Sequence, residues 1–141
     1  AYTLQVIENK PQNKVYLKDN YIYFEVKENN NEVIQKLLDK FYKEIAKDEV
    51  YAAMEYIKSI TGLSPKEIRI KKLKSAWGIC SSKQYISINQ NLMTYSRHAI
   101  EYVCLHEVCH LKHMNHSKDF WKMVEKYMPD YKTAKLELKN A

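Results

Sequence analysis

The chain has 141 residues, 45% hydrophobic and 28% charged. That is the length of one domain, with enough apolar material for a real core. No stretch approaches the roughly 20 consecutive apolar residues of a membrane helix, so a helical span is not expected. The net charge is +6, yet Arg69 and Arg97 are the only two arginines, which weakens guanidinium-based reading of phosphates and bases. Cys80, Cys104 and Cys109 are odd in number and lack paired spacing. Free thiols in a reducing compartment fit better than a disulfide scaffold. Ala1–Lys10 shows no basic region followed by an apolar one, so it does not read as a signal peptide and a cytoplasmic location is expected.

The first 28 residues read as strands. Tyr2–Ile7 alternates, and Val15–Leu17 and Tyr21–Val26 flank the turn-type cluster Lys18-Asp19-Asn20. Ile22, Phe24 and Val26 would share one face and Tyr21, Tyr23 and Glu25 the other. A small antiparallel sheet is expected, with no chemistry in it.

Asn29 followed by Glu32 marks a helix start. Ile34, Leu37, Leu38, Phe41 and Ile45 then keep helical spacing, continued by Tyr51, Met54, Ile57 and Ile60 up to a stop at Gly62. Lys47-Asp48-Glu49 interrupts the stripe, which leaves one bent helix or two.

Residues 63–141 carry the motifs. Ile68 and Ile70 alternate with Arg69 and Lys71, the pattern of a strand. Between Ser64 and Lys83, six cations face Glu67 alone. This is either a solvated lysine-rich face or a surface for a phosphate-bearing ligand. Gly78, one of only two glycines, lies in a strand-like stretch, which suggests a bulge or a close backbone approach. Cys80 has no partner at ligand spacing and reads as a structural thiol. Tyr85–Asn89 is a short alternating strand with Ile86 and Ile88 toward the core. At a sheet edge, Ile86, Ser87, Ile88 and Asn89 could pair with an extended peptide.

Thr94 or Ser96 caps the next helix, which carries His106-Glu107-x-x-His110. Residues four apart on a helix lie on one face, about 6 Å apart along the axis, so both imidazoles can reach one metal ion. Glu107 stands close by but outside that pair. Catalytic zinc takes three protein ligands and leaves a position for water. The metal lowers the water's pKa and a nearby carboxylate removes its proton.

The third ligand follows from reach. His113 is seven residues from His106, about 10.5 Å along a continuing helix. Two nitrogens on one zinc, each about 2.1 Å from it, can be at most about 4.2 Å apart. His116 can serve if the helix ends near Lys112–Asn115 and the chain turns back. Asn115 and Ser117 suit such a break, and Ser117 would cap the following helix. His98 is about 12 Å from His106 along the axis and is no ligand. Tyr102 lies one turn before His106 and could contact a substrate. Tyr95, Tyr102 and His98 are the candidates for stabilising an oxyanion. Phe120, Val124, Tyr127 and Met128 form the apolar face of the next helix, with Trp121 beside it. Pro129-Asp130 separates it from a last helix.

Ser75-Ala76-Trp77-Gly78-Ile79-Cys80-Ser81-Ser82-Lys83, Ile86–Asn89, the HE-x-CH helix and Asn115-His116-Ser117 with Phe120-Trp121 together resemble the YgjP-like family of zinc metallopeptidases. That family is similar to the SprT-like and WLM-type metalloproteases. The resemblance is close over about residues 70–135. It implies a single α+β domain of zincin-like fold over 1–141 and one Zn2+ ion. It further implies His106, His110 and His116 as metal ligands, Glu107 as general base, and Ile86–Asn89 as the edge strand beside the cleft. The family often has Arg and Ser where this chain has Ala76 and Ile79. The implied activity is peptide hydrolysis, on a peptide or protein substrate. Two alternatives stand beside it: a zinc-dependent nucleoside triphosphate pyrophosphohydrolase using the basic 64–83 segment, and a non-enzymatic zinc module that binds nucleic acid or protein. Oligomeric state is not legible in the sequence.

Overall fold

The structure, a computed structural model, describes residues 3–139; Tyr2, at the start of the expected first strand, lies outside them. Two three-stranded sheets are separated in sequence by one long helix. The first sheet contains β1 (Thr3–Ile7), β2 (Lys14–Lys18) and β3 (Tyr21–Glu25), in the order β1-β3-β2. β2 and β3 form the expected hairpin, with Asp19 (φ 51°) and Asn20 (φ 68°) in the left-handed region at its turn. The sheet is not purely antiparallel as expected, because β1 runs parallel to β3. β3 inserts between the first two strands, and its extension donates from Val26 N–H to the Ile7 carbonyl at 2.9 Å. Ile22, Phe24 and Val26 are buried, as the alternation requires.

α1 is a single helix over Asn31–Thr61. Its cap is Asn30, one residue later than expected; the Asn30 side chain accepts from the Glu32 and Val33 N–H groups at 2.9 and 3.3 Å. Lys47 and Asp48 do not break the helix because they are exposed on the outer face. The inner face continues through Ala46, Val50, Ala53, Met54 and Ile57. Tyr51, expected in the stripe, is instead 49% exposed; Val50 takes the inward position. Gly62 ends the helix at φ 74°, in a conformation that β-carbon sterics disfavour.

The second sheet contains β4 (Glu67–Lys71), β5 (Gly78–Cys80) and β6 (Tyr85–Asn89), in the order β4-β6-β5. β6 is therefore central, flanked by a parallel β4 and an antiparallel β5. This corrects the expectation of an edge strand at Ile86–Asn89: both sides of β6 are already hydrogen-bonded. The free edge beside the motif helix belongs to β5. A short 3-10 turn over Gln90–Thr94 leads into α2 (Arg97–Cys109), capped by Ser96. α3 (Lys118–Tyr127) and α4 (Tyr131–Lys139) complete the chain. Ser117 caps α3, accepting from the Phe120 N–H at 3.3 Å. One hydrophobic cluster joins side chains of both sheets and all four helices. α2 lies within it, so the motif stands on a rigid, buried support. Among the described residues no helix is long and apolar enough to cross a membrane.

Candidate metal centre

α2 ends earlier than the reach argument required. After Cys109 the chain tightens: His110, Leu111 and Lys112 N–H groups donate to the carbonyls of Glu107, Val108 and Cys109, three residues back, at 2.9–3.1 Å. The segment then folds back and delivers His116 directly before the α3 cap. His106 Nε2 and His116 Nε2 lie 3.1 Å apart, and one ligand atom from each of His106, His110 and His116 falls within 4.8 Å of the others. Nitrogens bound tetrahedrally to zinc at about 2.1 Å would be about 3.4 Å apart; the His106–His116 pair is close to that spacing, and the 4.8 Å spread of the triad closes on such an ion with a small inward movement of the rings. An all-imidazole donor set suits zinc and leaves a position open.

Each ring is aimed by a partner. His110 Nδ1 lies 2.9 Å from the His113 carbonyl oxygen. A carbonyl can only accept, so Nδ1 carries the proton and Nε2 offers its lone pair to the site. His113 thus contributes its backbone, not its imidazole. His106 Nδ1 lies 3.3 Å from the Tyr102 hydroxyl; with a metal at Nε2, Nδ1–H donates to that oxygen. Phe120 packs beneath all three rings at centroid distances of 4.5–5.0 Å. Trp121 stacks on His116 at 5.9 Å and on Tyr131 at 5.4 Å, and Tyr131 in turn stacks on Tyr102.

Burial, reinforced by the neighbouring imidazoles and Lys135, holds His106 down to about 3. Burial first, then His110 and Lys135, lowers His116 as well. Neutral imidazole is the form a metal requires. Glu107 is 6% exposed, and burial pushes its carboxyl up to about 7. A cation bound at the triad would draw that value down and keep the carboxylate ionised. Gly78 makes room for it: a β-carbon there would sit 2.9 Å from Glu107 Cγ and 3.1 Å from Oε2. Glu107, His106 and Gly78 open onto one cavity of about 390 Å³, with Trp77 on the β5 side and Lys135 on the α4 side.

The remaining sequence-predicted site residues have other tasks. Ile86 and Ile88 are fully buried. Ser87 is paired on both sides, to Arg69 and Ile79. Asn89 is buried and fully used. Its Nδ2 donates to the Leu73 and Ala76 carbonyls at 3.0 and 3.1 Å, and its Oδ1 accepts from the Asn91 N–H at 3.0 Å. It shapes the loop before Trp77-Gly78 and has no free group for a substrate. Tyr102 lines the cavity but is 5% exposed, with its hydroxyl engaged by His106. In the basic segment, Arg69 pairs with Glu67 and Lys72 with Asp39, and none of its cations lines the cavity beside Glu107. The sequence reading missed the Phe120 platform, the Trp121–Tyr131–Tyr102 stack and Lys135. An aromatic pair four residues after a ligand was the available signal.

A family model described as YgjP-like, metallopeptidase domain, matches residues 1–141. The chain belongs to the YgjP-like metallopeptidase family. Two solved metallopeptidase zymogens share this YgjP-like chain's α+β fold. Abylysin from Pyrococcus abyssi is 28% identical, with a TM-score of 0.55 over 60% of this chain and 87% of that one. Jannalysin from Methanocaldococcus jannaschii is 22% identical, with a TM-score of 0.52 over 67% and 87%. Among curated proteins none matches. A metal-dependent hydrolase is thereby shown as the class of this YgjP-like domain.

Proposed function

We infer that this YgjP-like domain hydrolyses peptide bonds with one zinc ion held by His106, His110 and His116 and with Glu107 as general base. The observation that carries the reading is a cluster of three imidazoles that could hold a metal ion, one of which, His106, lines the same cavity as the buried Glu107 carboxylate. Zinc, when bound, supplies a Lewis acid that activates water and polarises a carbonyl. The chain's own residues do the rest. Glu107 accepts a proton from the attacking water and passes it to the leaving amine. Tyr102 and the His113 carbonyl hold two of the rings in the tautomer the metal needs. Gly78 keeps the Glu107 carboxylate at the cavity wall. The β5 edge, with Ile79 49% exposed, offers free backbone groups to an extended peptide. Three free cysteines support a reducing, cytoplasmic setting.

The test is a metal-quantified preparation offered a peptide library and, in parallel, nucleoside triphosphates. Peptide cleavage that disappears on chelation and returns with one equivalent of zinc is expected. Zinc-dependent release of pyrophosphate with no peptide cleavage would replace this reading.

A further inference from the structure

The cavity beside Glu107 has a basic wall. Lys135 and Lys139 stand four residues apart on α4, hence on one face, and both line the cavity. Neither has an ion-pair partner among the described residues. The one acidic residue of α4 is turned away from them. Glu137 accepts from the Ser96 N–H at 2.9 Å and from its hydroxyl at 2.6 Å, and so serves the start of α2. Glu107 is the one carboxylate on the lining. The Lys135 ammonium lies 4.6 Å over the Trp121 ring, which stacks on His116. This contact holds the charge beside the triad instead of leaving it free in solvent. Trp77 and Leu138 add apolar surface between the lysines and the Gly78 edge.

We propose that Lys135 and Lys139 make the cleft selective for peptides with a carboxylate side chain, Asp or Glu, next to the scissile bond. The proposal rests on the peptidase reading and adds its substrate class. A carboxylate entering this partly desolvated space meets two ammonium groups with no carboxylate partner among the described residues, whose charge-assisted hydrogen bonds are the strong kind. A lysine side chain at the same place meets two like charges. Flexible ammonium stems can follow a carboxylate wherever the peptide places it. The cavity lies at the small end of the ~300–1,000 Å³ range of ligand sites, suited to a short peptide segment.

The experiment uses fluorescent peptides identical except for Glu, Gln or Lys beside the cleaved bond. Cleavage is followed with the zinc-loaded wild type and with Lys135→Glu/Lys139→Glu. Binding is followed with zinc-loaded Glu107→Gln, alone and combined with the same reversal. The wild type should favour the Glu peptide over the Gln peptide by about tenfold, and over the Lys peptide by more. The reversal should make the Lys peptide the best of the three. Lys135→Gln/Lys139→Gln, a gentler change, should level them. Rising salt should shrink the preference. An unchanged order of peptides in both double variants would overturn the proposal. If the wild type cleaves no peptide, the peptidase reading fails by itself; equal binding of the Glu and Gln peptides would then overturn the role of the lysines. Tighter binding of adenosine triphosphate than of the Glu peptide, lost on the same reversal, would overturn the carboxylate assignment in favour of a phosphate.

Discussion

The two sheets of this molecule have the same topology, yet one borders the candidate metal centre and the other does not. In each, the third strand is central, parallel to the first and antiparallel to the second. Even the register corresponds. Val15 faces Phe24 across the first hairpin, where Gly78 faces Ile88 across the second. Val15 packs on the core. Gly78 instead leaves its place to the Glu107 side chain. The difference arises from what covers the edge: the second sheet borders α2, and the missing side chain on β5 becomes the space for the buried Glu107 carboxylate. The same scaffold thus differs by one deletion of bulk beside one buried carboxyl group.

The comparison can be broken at several points. His116→Ala should weaken zinc binding by more than the ~10–100-fold typical of an outer partner, whereas His113→Ala should leave zinc content unchanged, since only its carbonyl is used. Equal losses by metal analysis would undo the ligand set. Gly78→Val should cost about 100-fold in turnover or more, by displacing Glu107 from its place at the cavity wall. Val15→Ala, at the matching position, should leave turnover intact and cost ~1–2 kcal/mol of stability. Similar turnover losses in both variants would dissolve the contrast between the sheets.

A third prediction concerns what the carboxylate costs. In metal-free protein, Glu107 has a folded value of about 7 against a usual 4.5. Between these values the folded state binds a proton the unfolded state lacks, so its contribution to stability falls as pH rises. Metal-free Glu107→Gln should therefore be more stable than wild type above pH 7, by at most about 3 kcal/mol. The advantage should vanish below about pH 4.5. Denaturant titrations at both pH values, with chelator present, measure it. An advantage independent of pH would mean that burial of the charge is not the cause. Smallest, Tyr102→Phe should lower zinc affinity about tenfold by releasing His106 Nδ1; unchanged affinity would make the tyrosine a packing residue only.

Much of this was legible in the sequence, because local spacing determines local geometry. His106 and His110 follow from helical period, His116 from reach, and Ser117 and Gly62 from their capping chemistry. The inner faces of β3 and β6 follow from alternation. What was not legible is long-range pairing. Alternation in Tyr85–Asn89 gives a strand but not its neighbours, so its central place, and the edge role of β5, emerge only once β4 and β5 are both paired to it. The parallel β1–β3 pair escaped for the same reason. α1 stays unbroken through Lys47-Asp48-Glu49 because Ala46 and Val50 carry the inner face, a stripe hidden when Tyr51 is counted as apolar. Gly78 was visible as a close approach, but its neighbour, Glu107, lies 29 residues away in sequence.

The central claim is that Glu107 moves the proton while three histidines hold the metal. Glu107→Gln tests both halves in one protein, by zinc content and by peptide hydrolysis measured on the same preparation. One zinc per chain, with hydrolysis reduced by about 10²–10⁴-fold, is the expected result. Full zinc occupancy with hydrolysis at the wild-type rate would contradict it.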